Sequence, residues 1–450
     1  MMLTEFDLLA QALWLSVFAV AMVIVLLISW RYPRQIFWAV FFFRPLLEMS
    51  RLMKGNNELV QGIINSVGIA VPAVLLLVLV FHKKIWSEVN LLPLAFLVAM
   101  LVTGFLHGTN FEAGEMLVRI LTPIVFLVYP QMIIQSEKDL KTFLRIVAVS
   151  TIFVLLAVYL DRQRTNVHPV YGWVQDAIPL KSGETQNRLG AIFGVPTMTA
   201  YWIFQFFAVA YFLFEVERAF ARIAWMGIWI ILLIPLYFTF ARAAWLGCLI
   251  VPFLYSYLKG RLVRTTTWII GGIIMAIVVL PNILFRLQNP ATIEFRLRFW
   301  FGYIRSWIEG GVGSWLTGMG FARLPEKNIY SGYLYVPAGT GLVENSLIFL
   351  LVGAGLVAVI VFILMILNLA RRASWLRKNG TTPLIRNFGA WSLALLVVWF
   401  VMGMVGDMVS YVVINWYWYA FFGCILALWR NRKEPAQSQG GIFFSPDSGE

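Results

Sequence analysis

The sequence predicts an all-α, polytopic membrane protein, and three observations carry this prediction. Of the 450 residues, 60% are hydrophobic and 13% are charged, whereas a soluble domain has about 25% charged residues. Such a chain has too few polar side chains to cover the surface of a soluble enzyme. Apolar runs of about 20 residues, the length of a spanning helix, recur along the chain. The two cysteines, Cys248 and Cys424, lie inside such runs, which excludes a disulfide scaffold.

The apolar runs predict about 12–14 transmembrane helices. The first run has no basic segment before it and no small-residue cleavage site, so we expect a retained helix rather than a signal peptide. In chain order the thirteen candidate spans are 8–30, 36–49, 59–81, 91–107, 115–134, 142–160, 190–214, 222–240, 243–258, 267–286, 345–370, 387–405 and 408–429.

The distribution of Lys and Arg predicts the orientation of these spans, because short cytoplasmic loops are enriched in basic residues. Alternate connections and the tail hold 20 of the 35 Lys and Arg residues. We therefore expect that side to be cytoplasmic, with the N-terminus outside and the C-terminus inside. The basic residues of that side are Arg31, Arg34, Lys83, Lys84, Lys138, Lys141, Arg145, Arg218, Arg222, Lys259, Arg261, Arg264, Arg371, Arg372, Arg377, Lys378, Arg386, Arg430, Arg432 and Lys433.

Topology does not explain the other 15 basic residues, which lie in the outer connections or inside spans. An electropositive outer cavity indicates an anionic ligand. Binding of anionic lipid head groups is the alternative explanation. The residues concerned include Arg188, Arg242, Arg296, Arg298 and Arg305.

Arg242 is the strongest functional candidate among these basic residues. It is the one charge in nearly continuous apolar sequence, at a tight turn between two spans. A charge that close to hydrocarbon is costly and usually has a partner or a task, and snorkelling to the head groups is the alternative. Two further arginines inside spans have acidic neighbours at i, i+4 with which they could pair. These are Arg44 with Glu48 and Arg119 with Glu115.

Residues 287–342 separate two strong spans and are too aromatic and too rich in patterned glycine to be disordered. Loops of such length are usually functional, so we expect a small folded cap on the outer face. Its opening segment, 294–309, predicts a helix. Two pairs in this helix have the i, i+4 spacing of ion pairs. They are Glu294 with Arg298 and Arg305 with Glu309.

Arg296 of that helix has no such acidic neighbour, and it shares a face with Trp300, Tyr303 and Trp307. A guanidinium beside aromatic rings suits a site for a phosphate and a sugar, because arginine binds phosphate through two hydrogen bonds and rings stack on sugar faces. An amphipathic helix lying on the bilayer explains the same spacing. The residues alone leave both interpretations open.

Two further motifs lie after the predicted helix 294–309 and before the next span. The glycine-rich stretch 310–320 predicts backbone N–H groups that face either an anion or a turn. Glu344 and Asn345 stand at the outer mouth of the next span. Glu344 could act as a general base, or it could cap the helix, where the helix dipole favours a carboxylate.

Three patches resemble the O-antigen ligase and Wzy-type polysaccharide polymerase superfamily of bacterial inner-membrane glycosyltransferases. FTFARAAWLG (238–247) is similar to the family's turn of Ser-Arg and two small residues and places its first key arginine at Arg242. RLRFWFGYIRSWIEGGVGSWLTGMGF (296–321) resembles the segment that opens the large periplasmic loop, with the second key arginine at Arg296. VENSLIFLLVGAGLVA (343–358) is similar to the start of the helix after that loop.

The resemblance implies a C-type-like glycosyltransferase that transfers a glycan from undecaprenyl pyrophosphate to an acceptor hydroxyl on the periplasmic side, without a metal or other cofactor. Arg242 and Arg296 would clamp the pyrophosphate, whose charge grows as the anomeric C–O bond breaks, and Arg298 would assist them. We assign substrate binding to five further residues. These are Arg188, Trp300, Tyr303, Arg305 and Asn345.

Where ligases of the family carry a histidine that activates the acceptor, this chain has Glu344, and none of His82, His107 and His168 falls in the motif. A carboxylate can do this work if apolar surroundings raise its pKa, so we expect Glu344 to be catalytic. The difference favours a polymerase over a ligase that attaches finished polymer to a lipid or protein acceptor, which is the first alternative. A lipid-linked oligosaccharide flippase or other transporter is less favoured, because no repeat of two halves is visible.

We therefore expect four parts: N-terminal transmembrane helices over 1–286, the large periplasmic loop over 287–342, C-terminal transmembrane helices over 343–433, and a disordered cytoplasmic tail over 434–450. The expected location is the bacterial inner membrane. The expected partners are the lipid bilayer, the lipid-linked glycan and, by the resemblance, flippase and chain-length regulator proteins. Nothing in the sequence indicates binding of nucleic acid.

Overall fold

The structure, a computed structural model, describes most of the chain between positions 27 and 431. The described residues are 27–49, 58–81, 91–107, 122–162, 177–179, 185–187, 196–239, 241–261, 266, 268–269, 291–320, 345–406, 408 and 412–431. Helices account for nearly all of them. In chain order these are α1 (Pro33–Met49), α2 (Glu58–Phe81), α3 (Leu91–His107), α4 (Pro130–Ile133), α5 (Glu137–Val149), α6 (Thr151–Arg162), α7 (Pro196–Val216), α8 (Ala219–Phe238), α9 (Arg242–Leu258), α10 (Ala291–Glu309), α11 (Gly311–Thr317), α12 (Ser346–Asn379), α13 (Pro383–Val405) and α14 (Val412–Asn431).

By length and composition, five helical segments in the described part of the chain can cross a membrane. They are Glu137–Leu160, which joins α5 to most of α6, and α7, α8, α12 and α13. Shorter apolar helices accompany them at Ala70–Phe81, Leu91–His107, Thr122–Ile133 and Arg242–Leu258. The described residues are thus mostly helical, and these helices are compatible with the all-α, polytopic membrane protein that the composition predicts. Two predicted spans, 91–107 and 387–405, correspond closely to α3 and α13.

One pair of short strands accompanies the helices among the described residues. β1 (Ala177–Pro179) and β2 (Thr185–Asn187) pair antiparallel, with the first residue of β1 facing the last residue of β2. Both lie in the long connection 161–189. Arg188 follows β2 and lies outside the described residues. Each strand has three residues, which is too few for an alternation of apolar and polar side chains to be recognised in the sequence.

Helix α7 forms the centre of the bundle. Of its apolar window 83% is buried inside the protein, against 22% for α8. A helix that is buried all round faces other helices rather than lipid. Hydrogen bonds also join α7 to α13 and α14. Tyr201 Oη donates to Met402 O at 3.3 Å, Gln205 Nε2 to Ile414 O at 2.7 Å, and Trp391 Nε1 to Ala208 O at 3.0 Å.

Paired charges hold one end of the bundle, which we call the basic end. Glu217, directly after α7, is buried and accepts from Lys141 Nζ at 2.9 Å and Arg145 Nη2 at 2.6 Å, both on α5. The basic residues at this end belong to the set that the sequence predicts to be cytoplasmic. Further contacts there are Arg34–Asp139 at 2.9 Å, Arg261–Glu215 at 2.8 Å, Arg377 to Leu258 O at 3.2 Å and Asn431 to Ile134 O at 3.0 Å.

At the opposite end of the bundle, side chains bond mainly to backbone groups rather than to other charged side chains. Asn345 precedes α12, and its Nδ2 donates to Met404 O near the end of α13 at 3.0 Å. Ser346 Oγ donates to Gly406 O at 3.2 Å and accepts from Met408 N at 2.8 Å. Helices α10 and α11 pack on α12 at this end. The starts of α9 and α12 therefore lie at the end away from the paired charges.

Helix α12 is 34 residues long, or roughly 50 Å, and so exceeds a hydrocarbon core of about 30 Å. It is interrupted at Gly355, where φ is 78° and ψ is 178°. The part after this break is roughly 36 Å long and can span a membrane by itself. The part before the break packs with α10 and α11.

Candidate functional site

Arg242 lies where the sequence predicts it, at the turn between α8 and α9. Helix α8 ends at Phe238, and Thr239 closes the turn. Its Oγ1 donates to Leu236 O at 2.6 Å and accepts from Ala241 N at 3.2 Å. Arg242 is the first residue of α9. The hydroxyl of Thr239 thus fixes the backbone that carries the arginine into the helix.

The side chain of Arg242 is exposed at the opposite end of the bundle. A cation there opposes the helix dipole, which is positive at the N-terminus, so the dipole does not favour an arginine at this position. The same arrangement suits an anion, because the first N–H groups of the helix and the guanidinium attract it together. Trp245 holds the turn in place, since its Nε1 donates to Leu236 O at 2.9 Å and its ring stacks on Tyr237 at 5.7 Å.

The predicted cap helix is present as α10. Tyr303 is buried on it and packs with Phe349 and Val352 of α12, in a small cluster separate from the main core. Arg296 lies on the same face of α10 by helical register. The side chains of Arg296 and Arg298 lie outside the described residues. The structure therefore places the backbone of the second predicted arginine on a helix that is packed against α12.

Two other candidates on α10 are more open to solvent. Trp300 is half-buried, and the side chain of Arg305 is 80% exposed. Arg305 Nε lies 2.7 Å from Glu309 Oε1, which confirms the ion pair predicted from their spacing. The hydrogen bond to Glu309 and its charge raise the pKa of the Arg305 guanidinium. This arginine therefore stays charged, and its part in substrate binding stays a prediction.

Asn345 caps α12. Its Oδ1 accepts from the backbone N–H groups of Leu347 at 3.0 Å and Ile348 at 3.1 Å, and the residue is 3% exposed. Asn345 thus performs the capping that was one of two roles open to Glu344. Glu344 lies outside the described residues, and its role as a base stays a prediction. A substrate that binds Asn345 would compete with these capping bonds.

The predicted pair of Arg44 and Glu48 is confirmed. Arg44 Nη2 lies 2.6 Å from Glu48 Oε1, and both side chains are buried. The guanidinium also lies 4.0 Å from the centre of the Trp416 ring. Because it is neutralised inside the protein, this arginine does not add to the positive charge at the surface. The other predicted pair, Arg119 with Glu115, lies outside the described residues.

Close packing brings the start of α9 and the start of α12 to the same region. Helix α9 packs along α13, and Gly247 permits the approach, because a Cβ there would lie 2.8 Å from Met402 Cε. Met404, further along α13, accepts the hydrogen bond from Asn345. Helix α10 packs on the first part of α12. The elements that carry Arg242, the cap helix and Asn345 therefore converge at the opposite end.

The glycine-rich stretch 310–320 is not an open loop. Gly311–Thr317 forms α11, and the N–H groups of Met319 and Gly320 donate to carbonyls of α12. The N–H groups of Met319 and Gly320 thus face neither an anion nor a turn, the two predicted possibilities, but pair with the backbone of α12. Sequence reasoning missed the role of His107, which contacts the end of α11, because no motif includes it.

Within the described ranges, no group of three or more His, Cys, Asp or Glu side chains comes together as a metal site would require. Cys248 and Cys424 are free and buried. The arrangement consists instead of an exposed arginine at a helix start and an aromatic cap helix packed nearby. Comparison with known proteins adds no relative, since no family model matches the sequence and no curated protein matches it.

Proposed function

We propose that this protein is a membrane glycosyltransferase that polymerises undecaprenyl-pyrophosphate-linked oligosaccharide repeat units into a surface polysaccharide. One observation carries the proposal: Arg242, at the position of the family's first key arginine, begins α9 with an exposed side chain at the end away from the paired charges. The packing of α10 and α11 on α12 supports it, because these helices carry the other two patches that resemble the family.

The proposed reaction is a displacement at the anomeric carbon of the lipid-linked donor. The acceptor hydroxyl attacks this carbon, and the C–O bond to the pyrophosphate breaks. Undecaprenyl pyrophosphate leaves with the bonding electron pair, and Arg242 and Arg296 stabilise the charge that develops on it. Glu344 accepts the proton of the attacking hydroxyl. The donor carries its own leaving group, so the proposal assigns no metal or other cofactor.

The proposal includes a location and a topology. The protein would lie in the bacterial inner membrane with about 12–14 helices, the basic end in the cytoplasm and residues 287–342 as a periplasmic cap. The N-terminus would be periplasmic and the C-terminus cytoplasmic. The support is the segregation of contacts, since the basic residues predicted to be cytoplasmic meet at one end and Arg242 and Asn345 lie at the other.

Deletion of the gene, followed by analysis of the lipid carrier, tests the class of activity. We expect single repeat units to accumulate on undecaprenyl pyrophosphate, because a polymerase joins them. Full-length polymer left on the carrier would indicate a ligase. Material retained on the cytoplasmic face would indicate a transporter. Either of these two results would overturn the proposal.

Substitution of Arg242 tests the site. We expect Arg242→Ala to lower polymer formation by about 100-fold or more, as loss of one charge-stabilising group does. Arg242→Lys should keep part of the activity, because lysine keeps the charge without the paired donors. Arg222→Ala is the matched control, since Arg222 is an exposed arginine near the other end of α8. Normal polymer from Arg242→Ala at an equal membrane level would contradict the assignment.

A further inference from the structure

Two distant parts of the chain pair through their backbones at the break in α12. The φ of 78° at Gly355 turns the chain out of helical geometry. Just before it, the carbonyls of Val352 and Gly353 accept from Met319 N at 2.8 Å and Gly320 N at 3.1 Å. In an unbroken helix these carbonyls would accept from residues four positions later. The segment after α11 thus supplies donors where the helix is interrupted.

Glycines make this pairing possible. Gly318 and Gly320 have φ of 77° and 81°, a region that L side chains rarely adopt. A Cβ on Gly318 would collide with the backbone of Gly353, and a Cβ on Gly355 would collide with the backbone of Leu316. Both conformation and space therefore require glycine at Gly318 and Gly355.

Two side chains of α3 complete the arrangement. Thr103 is buried, and its Oγ1 donates to Thr317 O at 2.9 Å. His107 Nε2 lies 2.9 Å from Thr317 Oγ1. Thr317 Oγ1 also lies 3.0 Å from Gly313 O, and the tautomer of His107 determines which of the two side chains donates in their hydrogen bond. We call the set formed by Thr103, His107, 317–320 and 352–355 the cap joint.

The cap joint fixes α10 as well as α11, because the two helices form one unit. Trp307 Nε1 donates to Ser314 O at 2.7 Å, and Trp315 Nε1 donates to Ile308 O at 2.9 Å. Tyr303 adds an apolar contact between α10 and the part of α12 before the break. A shift of α11 would therefore move α10, the helix that carries the second predicted arginine.

We propose that Thr103 and His107 are positioning residues for the cap helix. Through the cap joint they set where α10 stands relative to the starts of α9 and α12, and so align the two arginines of the proposed pyrophosphate clamp. This inference rests on the proposed function. Neither residue touches a reacting atom, since both act through Thr317. Position matters here because a misplacement of about 1 Å can lower a rate by about 100-fold.

Kinetics of the purified full-length protein with a synthetic lipid-linked repeat unit test the inference. His107→Leu and Thr103→Val should lower turnover by about tenfold or more while KM changes by less than about threefold. His107→Gln keeps an N–H donor and Thr103→Ser keeps the hydroxyl, so both should stay within about twofold of wild type. Phe105→Leu is the matched control, because Phe105 is an exposed neighbour on α3. Unchanged turnover in His107→Leu and Thr103→Val would overturn the positioning role.

A distance measurement that does not depend on activity separates this inference from the proposed function. Spin labels at Phe301→Cys on α10 and Tyr257→Cys near the end of α9 occupy exposed positions, and the native cysteines are buried. We expect the distance between the labels to shift or broaden in His107→Leu and to stay as in wild type in His107→Gln. An unchanged distance in His107→Leu would overturn the inference. A shifted distance in His107→Leu, together with a wild-type protein that forms no polymer, would support the cap joint as the structure that positions α10 and would overturn the proposed function alone.

Discussion

The two ends of the bundle are held by different kinds of contact. At the basic end, long side chains pair across helices, as Glu217 does with Lys141 and Arg145. At the opposite end, the cap joint pairs backbone with backbone through glycine. Flexible charged side chains follow small movements, whereas directly paired backbones do not. At the end to which we assign the chemistry, the cap joint thus fixes the position of α11 on α12 through backbone contacts, and a catalytic site requires such fixed geometry.

The most disruptive test of this difference is a side chain at the break in α12. We expect Gly355→Val to lower the free energy of unfolding by about 3 kcal/mol, because the residue would adopt a left-handed φ and collide with the backbone of Leu316. Titration with sodium dodecyl sulfate in mixed micelles measures this quantity. Gly227→Ala on α8 is the control, since a Cβ added there would meet no atom within 4 Å outside the neighbouring helix backbone. A Gly355→Val protein as stable as wild type would contradict the backbone pairing.

The corresponding test at the basic end removes a shared charge. We expect Glu217→Gln to lower the free energy of unfolding by about 2 kcal/mol, because Lys141 and Arg145 lose a buried ionic acceptor. The same titration measures the loss. Turnover should stay at the wild-type level, since this end is remote from the proposed site. A large loss of turnover in a protein that remains folded would remove the functional distinction between the two ends.

A smaller effect is expected at the start of α12. Asn345→Ala removes the side chain that caps the helix and its bond to Met404 O. We expect a loss of about 1 kcal/mol in the free energy of unfolding, as for other helix caps. Asn345→Asp keeps the capping oxygen and should lose less. If Asn345→Ala and Asn345→Asp were equally stable, the hydrogen bonds that Asn345 Oδ1 accepts would not contribute to stability.

The smallest effect on stability is expected for Arg305→Ala. Both Arg305 and Glu309 are largely exposed, and water and salt screen such pairs. The temperature of thermal unfolding should match that of wild type at low and high salt. If Arg305 binds substrate, as the sequence predicts, KM should rise in the same variant. A lower unfolding temperature would show that the Arg305–Glu309 ion pair stabilises α10.

The features that the sequence predicts correctly depend on side-chain periodicity. The helical, membrane-spanning character follows from apolar runs, and the pairs Arg44–Glu48 and Arg305–Glu309 follow from i, i+4 spacing. The turn at Arg242 was predictable because a single charge interrupts two apolar runs. In each case, residue types that lie close together in the sequence determine the structural feature.

The features that the sequence does not reveal depend on backbone groups, which every residue shares. Nothing in the spacing shows that Met319 and Gly320 pair with α12, or that His107 meets Thr317. The short strands β1 and β2 have the same origin. At the start of α12, the short amide of Asn345 reaches the first N–H groups and caps the helix, a role that the sequence suggested only for Glu344.

The burial of α7 has a consequence for how the protein is made. Among the five described segments able to cross a membrane, α7 has the lowest mean hydropathy, 1.4, and the highest burial. A nascent segment partitions into the bilayer according to its own hydrophobicity, so α7 has the weakest tendency to insert alone. Its more apolar neighbours along the chain, Glu137–Leu160 before it and α8 after it, offer it a protein surface in place of lipid. Biogenesis of the bundle would then depend on cooperation between successive segments at the translocon, with the innermost helix retained by the outer ones.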